Sequence, residues 1–377
     1  MSMAGHEIGL RPITFFIPAL NAGGAQRVIV NLANAMVDLT DHPIHIALAL
    51  AEGEFLEEVH PAVEIIDLGN RRASRSIFAL SRYLRVYKPV ALCSTLNYAN
   101  VCASLAWLLA GKPCRLVLRE ANVARAPVGG WINLIRGNAM HWLMRMLYRH
   151  ADRVVALGEN VAATLLERRI CEADQIEIIG NPVITQAYAS CPGDALMQIQ
   201  PWRERYIIAV GRLSPQKGFD VLIESFAQLN DDDCDLVILG EGELRAELEA
   251  HAQRLGLSDR VHLPGFVKMP YLVIARAQLF VLSSRWEGLP NVLLEALSLG
   301  VPVVSTSCPG EAVKVILDGK LGYLVPPEDP DALAVAISEA LVLPRGTKDE
   351  RMNRAADFSA PVIANQYLER AFGLSAK

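Results

Sequence analysis

The length, composition and charge of the chain limit what it can be. Its 377 residues suffice for two α/β domains, and a hydrophobic content of 52% can fill a core in each. The formal net charge of −5 gives no overall positive field, so nucleic acid is not an expected partner. The seven cysteines show no zinc spacing, and no apolar run reaches the roughly 18 residues of a membrane span. We therefore predict a cytoplasmic two-domain enzyme without a metal site, cofactor or transmembrane helix.

Short apolar runs alternate with helical segments along the chain, which is typical of parallel sheets with crossover helices. In the first half, the predicted strands are residues 13–17, 44–49, 90–94, 115–119 and 154–156, with a helix at 25–36. In the second half they are residues 206–210, 235–239, 261–263, 279–282 and 302–305, and an amphipathic helix ends the chain at 360–372. The periodicity stops at residues 181–202, where prolines cluster as in a linker.

These patterns predict an α/β protein of two Rossmann-like, doubly wound domains that face a central cleft. The expected N-terminal domain covers residues 1–185, the linker 186–204 and the C-terminal domain 205–355. A terminal helix at residues 356–377 is expected to return to the first domain. Since ligands bind beyond the carboxyl ends of the strands in such sheets, we searched the loops that follow strands.

The first motif is Asn-Ala-Gly-Gly-Ala-Gln-Arg at residues 21–27, a glycine pair that opens a helix. Free backbone N–H groups without nearby Cβ atoms suit a phosphate oxygen. A tight turn without a ligand explains the pattern equally well. The motif is not GxGxxG, and no acidic residue ends the next strand, which disfavours a dehydrogenase.

The second motif is Gly-Arg-Leu-Ser-Pro-Gln-Lys-Gly at residues 211–218, directly after a predicted strand. Arg212 and Lys217 beside a glycine turn can bind a diphosphate, one as a planar fork and the other as a point charge. A solvated loop with two incidental cations is the alternative.

The third motif is Glu-Gly-Leu-Pro-Asn-Val-Leu-Leu-Glu-Ala at residues 287–296. Pro290 is expected as the first residue of a helix, with Glu287 in the preceding loop and Glu295 inside the second turn. A helix N-terminus favours a phosphate, while carboxylates accept hydrogen bonds from the hydroxyls of a ribose or another sugar. A solvent-exposed pair is disfavoured because both neighbours of Glu295 are apolar.

Together, the three motifs resemble glycosyltransferase family 4 of the GT-B fold, and the resemblance extends over nearly the whole chain. It includes Asn-Pro-Val at 181–183, Leu-Gly-Glu-Gly at 239–242, Leu-Pro-Gly-Phe at 263–266, Gly-Val-Pro-Val-Val at 300–304 and Gln-Tyr-Leu-Glu at 366–369. The resemblance implies retaining, metal-independent transfer of a hexose or N-acetylhexosamine from a nucleotide-sugar, with UDP favoured. A glycan or a lipid-linked molecule would be the acceptor, as in bacterial polysaccharide and lipid-linked glycan synthesis.

The resemblance also implies roles for individual residues. The catalytic set would be Arg212, Lys217, Glu287 and Glu120. The cations and the Gly24 N–H would bind the donor diphosphate, Glu295 the ribose and Glu287 the transferred sugar. The donor-binding set is completed by Gly265 and Phe266 at the nucleobase and by Leu289 and Asn291, and Gln26 would lie on the acceptor side.

The chain departs from the family pattern at two places. Many relatives have a histidine after the fourth or so strand, where this chain has Leu-Arg-Glu-Ala-Asn at residues 118–122. Arg119, Glu120 and Asn122 could substitute for it, with Arg119 and Asn122 on the acceptor side; an Arg–Glu pair that closes the strand end is the alternative. Residues 307–314 also replace a common Gly-Pro-Arg-Glu pattern, which leaves the usual contacts of that segment undefined.

Residues 131–150 combine tryptophans and leucines with Arg136, Arg145, Arg149 and His150. This composition suits either a helix on an anionic membrane, at the inner face of the cytoplasmic membrane, or a buried helix with a basic outer face. For the whole chain, two functions remain as alternatives to sugar transfer. A sugar-nucleotide epimerase shares the fold but needs an acid/base pair that we do not find, and a non-catalytic subunit would have lost the four charged residues of the second and third motifs.

Overall fold

The computed structural model describes residues 10–21, 23–70, 73–121, 131–183, 201–229, 231–267 and 269–377, and at residues 73 and 131–138 the backbone alone. One compact unit consists of the described residues up to Pro182 together with Ala360–Lys377, and the second of Val183–Ser359. The C-terminal segment therefore belongs to the first unit. Because residues 184–200 lie outside the described residues, the limits of the linker stay a prediction.

The first unit is a parallel sheet with crossover helices. Its strands are β1 (Ile13–Ile17), β2 (Ile44–Leu48), β3 (Val63–Asp67), β4 (Ala91–Thr95), β5 (Arg115–Glu120), β6 (Arg153–Ala156) and β7 (Ile176–Ile178). Its helices are α1 (Gly24–Leu39), α2 (Ile77–Tyr87), α3 (Asn97–Leu109), α4 (Trp131–Tyr148), α5 (Glu159–Glu167) and, near the C-terminus, α13 (Ala360–Gln366). The strand order is β3-β2-β1-β4-β5-β6-β7.

The second unit repeats this arrangement. Its strands are β8 (Tyr206–Val210), β9 (Asp235–Leu239), β10 (Val261–Gly265), β11 (Leu279–Leu282), β12 (Val303–Thr306) and β13 (Tyr323–Val325), in the order β10-β9-β8-β11-β12-β13. Its helices are α6 (Phe219–Ala227), α7 (Arg245–Arg254), α8 (Pro270–Ile274), α9 (Asn291–Ser298), α10 (Ala312–Val315), α11 (Pro330–Val342) and α12 (Lys348–Ala356). The predicted two doubly wound α/β domains are confirmed.

Both sheets form from continuous apolar strands because helices cover their two faces. Strands β1 and β9 are buried along their whole length, as expected for parallel sheets. In the first unit, Leu92 and Leu116 pack with Trp107 in one core. In the second unit, Phe226 and Leu236 belong to a separate core. Each unit thus has its own hydrophobic core.

Three strands were not predicted from the sequence, namely β3, β7 and β13. Each lies at an edge of its sheet, and its burial alternates or is partial. An edge strand has a neighbour on one side only, so it does not need the apolar run that identifies a central strand. The predicted terminal helix also differs in detail, since α13 continues as a π-helix at Tyr367–Phe372.

The strand orders fix where each unit can bind a ligand. In both sheets the chain reverses its direction of winding between two adjacent strands, β1 and β4 in the first unit and β8 and β11 in the second. Ligands of doubly wound sheets bind outside the carboxyl ends of strands at such a switch point. The predicted motifs at residues 21–27, 211–218 and 287–296 follow β1, β8 and β11.

Candidate active site

A direct ion pair joins two of the predicted site residues of the second unit. Lys217 Nζ lies 2.6 Å from Glu287 Oε1, although 70 residues separate them. The side chains are 16% and 7% exposed, and the Ser284 hydroxyl donates to the same carboxylate oxygen at 2.6 Å. Because β8 and β11 are adjacent, their C-terminal loops meet and bring the ammonium and the carboxylate together.

Arg212 lies in the same loop as Lys217 but differs from it in its contacts. Its side chain is exposed, and we find no hydrogen-bond or ion-pair partner for it among the described residues. A Cβ atom on Gly211 would lie 2.9 Å from Lys217 Cε, and one on Gly240 would lie 1.9 Å from Gly211 O. The glycines therefore allow the loop to fold tightly while the guanidinium group remains available to a ligand.

The loop that carries Glu287 is also held from its other side. Glu287 N–H donates to Pro309 O at 2.9 Å, and Glu311 N–H donates to Gly288 O at 2.9 Å. Gly310 has a φ of +134°, and a Cβ atom there would lie 2.3 Å from Glu287 O. Burial raises the pKa of the adjacent Cys308 thiol. Residues 307–311, which depart from the family pattern, thus support the position of Glu287.

Helix α9 begins one residue later than predicted. Pro290 has a φ of −77° and a ψ of 93° and forms the N-cap, so that Asn291 is the first helical residue. Pro290 cannot donate a hydrogen bond, but the N-cap position needs no donor inside the helix. Glu295 lies inside the helix and is half-buried, like Asn291, whereas Leu289 is buried. The third motif therefore contains a loop carboxylate and a helix carboxylate, as predicted.

Gly265 is the last residue of β10, the strand at the far edge of the same sheet, and Phe266 follows it. Gly265 has a φ of +96°, and a Cβ atom there would lie 2.8 Å from Glu241 Oε1. Glu241 is held by Arg245, whose Nη2 donates to Oε1 at 2.7 Å and whose Nη1 donates to Leu263 O at 2.8 Å. The Phe266 ring is 62% exposed. A flat apolar surface thus stands beside a glycine that cannot be replaced without strain.

In the first unit, the glycine motif lies at the switch point beside a strained residue. Gly24 is the first residue of α1 and is exposed. The Gln26 side chain folds over Gly23, since a Cβ atom on Gly23 would lie 2.5 Å from Gln26 Oε1. Leu96, directly after β4, has a φ of +79°. A positive φ is strained in a leucine, and such strained residues cluster at functional sites. No sequence pattern indicated this conformation.

Arg119 and Glu120 do not form a pair, because neighbouring residues of a strand point to opposite faces of the sheet. Arg119 is 1% exposed and donates to Thr95 Oγ1 at 2.8 Å and to Asn181 Oδ1. The alternative of an Arg–Glu pair is therefore wrong. Asn122 lies outside the described residues.

Glu120 is enclosed on the other face of the sheet. It is 2% exposed, and its Oε1 accepts hydrogen bonds from the Tyr148 hydroxyl and, at 3.0 Å, from Asn100 Nδ2. Burial raises the pKa of Glu120 to about 7, although these hydrogen bonds and the Arg119 charge oppose the shift. Contact with a substrate would require the carboxyl group to leave its partners, so a catalytic role stays a prediction.

An open, basic pocket of about 670 Å³ lies in the first unit at the ends of α4 and α5 and at the residues that follow them. It is lined by Arg145, Arg149 and Arg169 together with the apolar side chains of Trp142, Met146 and Leu166. Trp142 is 59% exposed, whereas Met144 and Leu147 of the same helix are buried. The described part of α4 is thus both a core helix and a basic apolar surface. Among the described residues, no helix is long and apolar enough to cross a membrane.

Comparison with known families identifies the chain. A sequence profile described as Glycosyl transferases group 1 matches residues 196–357, and one described as Glycosyl transferase 4-like domain matches residues 23–182. The chain belongs to the glycosyltransferases that these two profiles describe. It is therefore a transferase, and the resemblance of its three motifs to glycosyltransferase family 4 is confirmed at the level of family and fold.

Proteins similar to this glycosyltransferase match it over nearly its whole length. The N-acetylgalactosamine-N,N'-diacetylbacillosaminyl-diphospho-undecaprenol 4-alpha-N-acetylgalactosaminyltransferase of Campylobacter jejuni is 26% identical over 97% of this chain and 100% of that protein. A second α-1,4-N-acetyl-D-galactosaminyltransferase of that organism, which acts on a diphospho-undecaprenol glycan, is 28% identical over 95% and 97%. The structure of Anabaena HepE in complex with UDP-glucose has 22% identity and a TM-score of 0.79, covering 96% and 100%.

The structure brings together Lys217 of the second motif and Glu287 of the third motif of this glycosyltransferase, and Arg212 shares a loop with Lys217. Gly265, by contrast, ends the edge strand β10, and Phe266 follows it. Sequence reasoning missed Ser284, which contacts Glu287, and Arg285, the next residue. A hydroxyl and a cation directly before the third motif were a signal that could have found them. Within the described ranges, no group of three or more His, Cys, Asp or Glu residues could hold a metal ion.

Proposed function

We propose that this glycosyltransferase transfers a hexose or N-acetylhexosamine from a UDP-sugar with retention of configuration and without a metal ion. The observation that carries the proposal is the Lys217–Glu287 pair beside the exposed Arg212, at the switch point of the second unit. Two cations can stabilise the negative charge that develops on a departing diphosphate, which Mg²⁺ does in other transferases.

The roles of the remaining donor residues follow from their positions. Glu287, which already contacts an ammonium group, would accept hydrogen bonds from hydroxyls of the transferred sugar. Glu295 would accept hydrogen bonds from the hydroxyls of the ribose. Leu289 and Asn291 flank the start of α9, whose N-terminus favours an anion. Gly265 and the exposed Phe266 ring offer a flat surface for the base. In the first unit, Gly24 remains the proposed diphosphate contact, and Gln26, Arg119 and Asn122 the proposed acceptor residues.

The nature of donor and acceptor is proposed from similar proteins. HepE has been solved with UDP and with UDP-glucose, which favours a UDP-sugar here. Both Campylobacter relatives are named for diphospho-undecaprenol glycans, which favours a lipid-linked acceptor or a polysaccharide.

A lipid-linked acceptor would lie in a membrane, and the basic pocket at α4 and α5 offers a surface for contact with that membrane. Arg145, Arg149 and Arg169 can attract anionic head groups at about 1 kcal/mol each, while Trp142 enters the interface. We therefore include contact with the anionic inner face of the cytoplasmic membrane in the proposal.

The experiment that tests the proposal measures donor binding and turnover. A panel of nucleotide-sugars is first screened by thermal shift, and UDP release from UDP-N-acetylgalactosamine and UDP-glucose is then followed. Arg212→Ala and Lys217→Ala should each lose about 2–4 kcal/mol of transition-state stabilisation, roughly 30- to 1000-fold in rate. Near-normal turnover in both folded variants would refute the assignment.

A further inference from the structure

Arg285 lies between Ser284 and Glu287 in the active-site loop, and every N–H of its guanidinium group donates a hydrogen bond to a protein oxygen. It donates to Asp220 at 3.0 and 2.7 Å, to Glu328 at 2.9 Å and through a second bond, and to Pro215 O at 2.7 Å. A guanidinium group has five N–H donors, so these five bonds leave none for a ligand. The contrast with the exposed Arg212 is direct.

The partners of Arg285 come from three different segments of the second unit. Pro215 belongs to the loop that carries Lys217, Asp220 to the first turn of α6, and Glu328 to the segment between β13 and α11. Burial opposes ionisation of Asp220, but the hydrogen bonds and charge of Arg285 lower its pKa below the usual value. The same contacts raise the pKa of Arg285. The Arg285 guanidinium group is therefore charged and lies between two carboxylates, those of Asp220 and Glu328.

Backbone contacts transmit this anchoring to the catalytic pair. Arg285 N–H donates to Gln216 O at 2.8 Å, and Ser283 Oγ donates to Lys217 O at 2.8 Å. Gly218 completes the close approach, since a Cβ atom there would lie 2.2 Å from Ser283 O. Arg285 and Ser283 are thus both joined to the loop that carries Lys217.

We propose that Arg285 is a positioning residue that fixes the Lys217 ammonium group relative to the Glu287 carboxylate. This inference rests on the proposed function, in which both groups act on the donor. Misplacement of a catalytic group by about 1 Å can cost roughly 100-fold in rate. Arg285 therefore acts on the reaction by placing the Lys217 ammonium group beside Glu287, without touching the donor.

The test is a double-mutant cycle measured by UDP release from UDP-N-acetylgalactosamine or UDP-glucose, whichever the protein hydrolyses. Arg285→Ala should lower kcat roughly 10- to 100-fold and raise the KM for the donor by less. In the Lys217→Ala background, the same change should cost less than about threefold, because the group that Arg285 positions is gone. Arg285→Lys, with three donors, is measured in parallel and replaces Arg285→Ala if that variant does not fold.

Arg260→Ala is the matched control, because Arg260 also donates hydrogen bonds to carboxylate and carbonyl groups. It precedes β10 and so lies at the amino ends of the strands, whereas Arg285 follows the carboxyl end of β11. Arg260→Ala should lower the melting temperature and leave kcat unchanged. Equal losses at Arg285 in both backgrounds, or none in either, would overturn the positioning role while Lys217→Ala stays slow. If Lys217→Ala itself kept the normal rate, the proposed function would fail and the positioning role with it.

Discussion

Replacing Glu120 with Gln removes a carboxyl group from the interior of the first unit while keeping its size and its acceptor oxygen. In the protein, the carboxyl group lies between the Tyr148 hydroxyl and the Asn100 amide, and burial raises its pKa from 4.5 to about 7. In the unfolded chain, the group returns to its ordinary pKa. The substitution should therefore change how the stability of the first unit depends on pH.

The sign follows from which state ionises first. Below pH 4.5 the carboxyl group is neutral in both states, and it contributes no pH dependence. Between pH 4.5 and about 7 the unfolded chain ionises while the folded protein keeps its proton, so that stability falls as the pH rises. A shift of 2.5 pKa units at 1.36 kcal/mol each amounts to about 3 kcal/mol, all of it lost by pH 8.

The measurement is urea unfolding at pH 5 and pH 8, followed by tryptophan fluorescence. Trp202 and Trp286 of the second unit are replaced by Phe. The fluorescence then comes from the three tryptophans of the first unit, Trp107, Trp131 and Trp142. Between pH 5 and pH 8, the stability of Glu120→Gln should fall by about 2.5 kcal/mol less than that of the protein with Glu120, because the carboxyl group of the unfolded chain is already mostly ionised at pH 5. Glu167→Gln, an exposed glutamate of α5, is the control and should change nothing.

The reasoning would be refuted if Glu120→Gln kept the full pH dependence of stability, or if Glu167→Gln removed as much of it. The first result would mean that the Glu120 carboxyl group is ionised in the folded protein at neutral pH, and the second that the pH dependence does not arise from Glu120 in particular. A loss of stability in Glu120→Gln that is equal at both pH values would also contradict the raised pKa, because it would reflect packing alone.

Three further predictions concern function. Glu295→Ala should mainly weaken UDP binding in calorimetry, because a ribose contact is equal in ground and transition states, whereas Glu287→Ala should mainly lower kcat; the reverse pattern would contradict both assignments. Sugar transfer should survive EDTA, since Arg212 and Lys217 neutralise the diphosphate; loss of transfer that Mn²⁺ or Mg²⁺ restores would disprove this. Binding to vesicles with anionic lipid should fall with salt and in Arg145→Glu/Arg149→Glu, but not in Arg205→Glu of the second unit; co-sedimentation indifferent to lipid charge would exclude the α4 surface.

Much of the fold could be predicted from the sequence because its signals are local. Central strands such as β8, β9 and β11 have the predicted limits, since a strand buried on both faces must be apolar throughout. The partly exposed edge strand β3, which contains Glu64 and Asp67, lacks that signal. The opposite orientation of Arg119 and Glu120 could also have been predicted from the sequence, because successive side chains of a strand alternate between the two faces of the sheet.

Periodicity and motifs were enough to predict the family, the two α/β units and the loops that carry Arg212, Lys217 and the two glutamates. The contact between Lys217 and Glu287 is visible only in the folded protein, as is the difference between Arg285, which has no free donor, and Arg212, which does. The same holds for the enclosure of Glu120 by Tyr148 and Asn100. A motif reports the preferences of neighbouring residues, whereas these contacts join residues 20 to 70 positions apart, which meet only because folding places their strands, helices and loops side by side within each unit.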